Sequence, residues 1–277
     1  SDMAPYLSRA DVVLTGHACA PSGEPKPMVA VRLAVFREQA ILDKTAHVYG
    51  DRKSGAAAPF DKIPLMYERA LGGVGFDENP MGIGIQAGGA KDLHAANIEH
   101  PTDPTKVAGF GPISRTWPAR RRLLGKMDRK ALERPIILLP DGFDWSYFQA
   151  APADQQIDFL RGDEWVVLEG IHPDVPRISS RLPSARVTGV VSGLGDAGQV
   201  RGLDFHADIL RIDADAQSCS VVWRSSMPVA DEAAIEALEI AVRLEIAGQT
   251  IEWSAEEEGA EISLDTMDVD DSALIEE

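Results

Sequence analysis

The chain has 277 residues, 44% hydrophobic and 26% charged, which is enough for a substantial core and close to globular averages. Its apolar runs fall far short of the roughly 20 residues that cross a bilayer, and Cys19 and Cys219 are too few for a disulfide scaffold, so a soluble, cytoplasmic protein with two inert thiols is expected. The net charge of −17 belongs to the end: residues 1–230 hold 28 acidic against 26 basic side chains, whereas the last 47 hold 16 acids against Arg243 alone, a balance that speaks against nucleic acid or membrane insertion and for a protein partner.

The opening Ser1-Asp2-Met3-Ala4-Pro5-Tyr6 has no signal-peptide pattern and reads as the interior of a longer sequence. Asp11 to Gly16 has strand character, and Pro21 to Pro27 supplies a reversal. In Met28 to Arg37, Val29, Val31, Leu33 and Val35 alternate with Ala30, Arg32, Ala34 and Phe36, a period of two that places the first set on a core face. With Ala40 to Tyr49 as a third strand, an antiparallel meander is expected.

From Asp51 to about Arg122 the texture turns to glycine, proline and aromatic residues, read as long ordered loops that Tyr67, Phe76, Phe110 and Trp117 pin down. Pro64 to Leu71, closed by Gly72, predicts a short helix. Arg115 to Arg134 carries a local charge of +6, suited to docking the acidic tail or an acidic part of a partner, or simply to a solvated face. Ile136 to Leu139 predicts a short strand and Asp144 to Ala151 a helical turn. Strand character returns over Glu164 to Ile171, Arg186 to Val191, Phe205 to Ile212 and Cys219 to Arg224. Asp231 is placed to cap a helix over Glu232 to about Glu239, followed by strands at Val242 to Ile246 and Thr250 to Trp253 and a disordered acidic end.

The fold class expected is mainly β, α+β only through minor helices, with an antiparallel β-sandwich-like core and long Gly/Pro/aromatic loops. Motifs for catalysis are missing. Gly82-Ile83-Gly84-Ile85-Gln86-Ala87 fits a loose dinucleotide fingerprint but lacks a strand before it and a helix behind it, so it reads as a turn. His94 and His100 with Asp92 and Glu99 read as loop residues and not a zinc site, and an EF-hand begun at Asp265 fails because Met267 and Val269 fall on ligand positions. Asp141, Asp144, Asp154, Asp163 and Glu164 are the only candidates for paired carboxylate chemistry, with turn and capping roles as the plainer explanation. No enzyme, cofactor or metal is expected.

Several stretches are distinctive together: Pro59 to Gly73, Asn79-Pro80-Met81-Gly82, Gly109 to Ile113 through Trp117 to Arg120, Phe143-Asp144 with Phe148 through Ala150 to Gln156, and Leu160 to Glu164 with His172-Pro173. In order and spacing they resemble the family called domain of unknown function 2169, over residues 5 to 230. The resemblance implies an accessory protein of the bacterial type VI secretion system, an adaptor or chaperone that binds an effector and helps load it onto the spike protein. Leu71 stands where a phenylalanine is common, and the resemblance implies further strands ahead of Asp11, so the first sheet is expected to lack part of its N-terminal edge. The domain division expected is 1–230 for the family domain and 231–277 for a helix, a hairpin and the acidic tail.

Tyr67, Arg69, Phe110, Trp117, Arg120, Phe143, Trp145, Phe148 and Arg161 are the candidate partner-binding residues, because aromatic and arginine side chains on fixed loops make interface hot spots. Their alternative role is to pin loops to the sheet, with Arg161 paired to Asp163 or Asp144. The competing functional reading is a carbohydrate-binding or carbohydrate-active sandwich whose Trp117 or Trp145 stacks on sugars. A third gives the acidic tail an independent role as a lure for a basic partner.

Overall fold

The computed structural model describes residues 4–52, 55–85, 95–126, 139–140, 142–193, 200–229, 238–246 and 249–254. The chain begins with β1 (Ala10–Thr15), β2 (His17–Cys19), β3 (Met28–Phe36) and β4 (Ala40–Tyr49). The looped middle holds short pieces: β5 (Lys62–Pro64), β6 (Leu71–Gly72), β7 (Ile83–Gly84), β8 (Ile98–Glu99) and one helical turn, α1 (Pro118–Arg121). Then follow β9 (Gln156–Ile157), β10 (Trp165–Glu169), β11 (Arg177–Arg181), β12 (Arg186–Ser192), β13 (Arg201–Leu203), β14 (His206–Asp213) and β15 (Ser218–Arg224). Last come β16 (Glu239–Ile246) and β17 (Gln249–Ser254). The fold is mainly β, and no helix among the described residues is long and apolar enough to cross a membrane.

Two sheets share the principal core. The first has the order β15-β14-β1-β9 and the second β11-β10-β3-β4-β8. Val12, Leu14, Leu210 and Ile212 from the first meet Val31, Leu33, Val35, Leu42, Val48, Val166 and Leu168 from the second in one buried cluster. The inward set of β3 is the one its alternation predicts. Each such side chain removed from water contributes about 1.5–3 kcal/mol, which makes this layer the main source of stability. A third sheet, β13-β12-β16-β17, joins strands from both sides of residue 230.

The expected meander holds only for β3 and β4. β1 leaves for the other sheet, where it runs parallel to β14 and antiparallel to β9. The reason is burial on both sides: Ala10 to Leu14 are all buried, and a strand covered on both faces belongs at the centre of a sheet. β1 is therefore not an unpaired edge. The helix expected over Pro64 to Leu71 shrinks to a 3-10 turn at Tyr67–Arg69, because Ile63 and Pro64 pair with β2 while Leu71 and Gly72 pair with β7. Gly72 packs so closely on Asn79 that a Cβ would lie 2.1 Å from the Asn79 carbonyl oxygen. The buried Asn79 Nδ2 in turn donates to the carbonyls of Tyr67 at 2.8 Å and Leu71 at 3.0 Å, so these motif residues hold the looped segment together.

The strand expected at Ile136 to Leu139, the bulk of the helix after Asp231, Asp92, His94, Gln86, Ala87, Asp141 and the acidic end from 255 lie outside the described residues, apart from Leu139 itself. Glu239, placed at the end of that helix, opens β16.

Candidate functional site

The outer face of the first sheet is where the alternating strand side chains meet the loops. Register sets Asp11 beside Ile209, Val13 beside Arg211 and Thr15 beside Asp213 across β1 and β14, and continues to Ser220 and Ser218 on β15. One part of this face is covered. Ala4 and Leu7 pack on Ile209 with Phe148 and Val222, and the 3-10 turn Trp145–Phe148 lies beside them. The turn forms because the Asp144 side chain caps it, accepting from the Ser146 amide at 2.8 Å.

The other part is open. A cleft of about 540 Å³ is walled by Pro112, Ile113, Arg115, Arg120 and Ala150 and floored by Val13, Arg211, Asp213, Ser218 and Ser220. Arg120, 5% exposed, donates through Nε to the Tyr147 carbonyl at 2.8 Å and through Nη1 to the Ile113 carbonyl, but its buried Nη2 has no partner among the described residues. A buried donor left unpaired costs about 1–3 kcal/mol. Burial first and the Arg115 charge second hold the Arg120 guanidinium below the usual arginine range. Asp11, at the cleft's inner end, accepts from Gln149 Nε2 at 2.7 Å and from the Ala150 amide, yet burial outweighs these bonds and raises its carboxyl above 3.8.

The nine residues singled out from the sequence separate into three groups. Tyr67, Phe110 and Trp117 are interior: Tyr67 and Trp117 meet edge to face with centroids 5.0 Å apart, and Phe110 is fully buried beneath Lys44. With Arg120 they pin loops to the sandwich, which was the alternative role. Phe143, Trp145 and Phe148 cluster with Tyr147 and Tyr6, their neighbouring ring centroids 5.5 to 6.0 Å apart, and Trp145 is 40% exposed. Arg69 reaches Asn97 Oδ1 at 3.2 Å, and Arg161 is a surface residue paired with Glu38 at 3.4 Å, not with Asp163 or Asp144. Asp163 pairs instead with Arg181.

Of the carboxylates considered for catalysis, the described ones, Asp144, Asp154, Asp163 and Glu164, are engaged. Asp144 caps its turn, Asp154 meets Lys44 at 2.8 Å, and buried Glu164 accepts from Arg37 Nε at 3.0 Å and from the Arg161 and Gly162 amides at 2.7 and 2.9 Å. Gly162, at φ +91, provides the turn that aims both amides at Glu164. Among the described residues no three of His, Cys, Asp and Glu come together as metal ligands. The cleft floor was missed from sequence. Its signal was Arg211 standing at an outward position between the apolar Leu210 and Ile212, opposite Val13.

Fold and site together define a β-sandwich protein that presents a partly covered sheet face, an aromatic ledge beside an arginine-walled cleft. The chain belongs to the family described as an uncharacterized protein conserved in bacteria, DUF2169, whose model matches residues 1–224 and so ends with β15. No curated protein and no solved structure matches it.

Proposed function

We propose that this chain is a non-catalytic adaptor or chaperone that binds a protein client, a type VI secretion effector as the sequence resemblance implies, and helps load it onto the spike protein. The observation that carries the reading is the ledge of Phe143, Trp145, Tyr147 and Phe148, whose rings meet edge to face or tilted and leave Trp145 40% exposed. A large aromatic held rigidly by neighbours loses little entropy on contact, which is why such residues dominate interfaces. A sugar-binding reading would have to rest on Trp145, since Trp117 is buried against Tyr67 and offers no face to solvent.

The test is co-purification with the product of an adjacent effector gene. Trp145→Ala is expected to weaken capture about 30-fold, the effect of a hot spot worth about 2 kcal/mol. A folded, monomeric chain that never retains that product, or retains it equally well with Trp145→Ala, would refute the proposal.

A further inference from the structure

We infer that β15 is a self-pairing edge: two copies of this chain associate by antiparallel pairing of their β15 strands, which covers an apolar slot between the two core sheets. β15 ends the first sheet and, among the described residues, no strand pairs with its outer side. It contains no proline or lysine, and the bulge in its ladder, at Asp208, lies on β14, so the usual devices that blunt an edge are missing from it. Next to it the sandwich is open. A cavity of about 110 Å³ enters between the sheets, with Leu168, Leu182 and Ile212 buried in its wall and Ser180, Ser218 and Cys219 exposed at its mouth. Register sets Cys219 opposite the buried Ile212, and so on the inward face that Val221 and Trp223 share. Cys219 is exposed all the same, because among the described residues no strand beyond β15 completes that layer.

The sequence of β15 fits its own copy. Antiparallel pairing about a two-fold axis at Val221 sets Ser220 opposite Val222, Ser218 opposite Arg224 and Cys219 opposite Trp223. On the inward face the smallest side chain of one copy then meets the largest of the other, and the second copy's indole lies over the mouth of the slot. Cross-strand pairs of this kind are the unit of sheet stabilisation. Arg224, the one charge in the strand and already engaged by Asp208, meets only a serine. β11, the edge strand on the other side of the slot, is guarded by an arginine at each end, Arg177 and Arg181, held by Glu169 and Asp163. The two edges are thus built differently, and β15 is the one left open to pairing.

The test uses the full chain and no client. A strand-sized interface lies at the small end of specific contacts, so sedimentation equilibrium under reducing conditions is expected to show a reversible dimer with a Kd on the order of 10–100 µM. Ser220→Lys, at an exposed position, places an ammonium opposite Val222 of the second copy and is expected to weaken the dimer at least about tenfold with unchanged thermal unfolding. In a Cys219→Ser background, Val221→Cys brings two thiols together on the two-fold axis, within the Cα separation of about 4.4–6.8 Å that a disulfide spans, and mild oxidation is expected to link 221 to 221. Wild-type Cys219 is expected to stay unlinked to its copy, which lies as far along the strand as Trp223, about 13 Å away. Ser180→Cys, exposed across the slot on β11, is likewise expected to stay unlinked. A chain that remains monomeric at about 500 µM, leaving the edge to a strand of another protein, would overturn the inference. So would a dimer indifferent to Ser220→Lys, or oxidation without a 221–221 linkage. Self-association is measured without a client, so its failure and the failure of client capture are read separately.

Discussion

Replacing Glu164 by Gln tests whether the Arg161 to Glu164 motif is a structural lock. The side chain is fully buried; its two oxygens accept from the Arg161 amide at 2.7 Å, the Gly162 amide at 2.9 Å and Arg37 Nε at 3.0 Å, and the Arg37 side chain is itself only 14% exposed. Glutamine keeps the shape but turns one acceptor into a donor facing donors, and it leaves the Arg37 charge without its counterion. Breaking one side of a buried pair costs about 3–5 kcal/mol. With a urea slope of about 3 kcal/mol per M, the unfolding midpoint should fall by about 1 M or more. Pairing the change with Arg37→Met should cost less than the sum of the two single variants, since neither then strands a charge. A midpoint loss under about 0.3 M, or strict additivity, would refute the lock.

Lys44→Met removes an ammonium that donates to the Gly109 carbonyl at 2.7 Å and Gln155 Oε1 at 2.8 Å; stranding these acceptors is expected to cost about 2–4 kcal/mol by urea denaturation, with no change if solvent replaces the donor. Gly109→Ala would set a Cβ 2.5 Å from the Tyr67 ring, and a loss of about 1–3 kcal/mol with an altered near-ultraviolet spectrum of the Tyr67–Trp117 pair is expected. Asp11 has a folded carboxyl raised above 3.8 by burial, so the folded state holds its proton more tightly than the unfolded one. Its contribution is therefore most favourable below that value and is lost as pH rises through the folded pKa. The stability of the wild type relative to Asp11→Asn should fall as pH rises from below 3.8 through the raised folded pKa, and a pH-independent difference would contradict this.

Local chemistry settled the elements whose signals are local. The alternation of Val29 to Val35 put β3 in the core, and Asp144 marked its capped turn correctly, because side-chain periodicity and capping act within a few residues. The same local pattern in Asp11 to Gly16 left its neighbours undetermined, and only assembly placed β1 between β14 and β9. The aromatic residues show the same division. Composition made Tyr67, Trp117 and Trp145 equivalent, but packing buried the first two against each other and left Trp145 at the surface. Arg120 and Arg211 lie far apart in the chain and share a cleft because β14 runs parallel to β1 beneath the 112–120 loop. A strand's own sequence fixes which side chains share a face; which distant residues lie opposite that face depends on the whole chain closing around it.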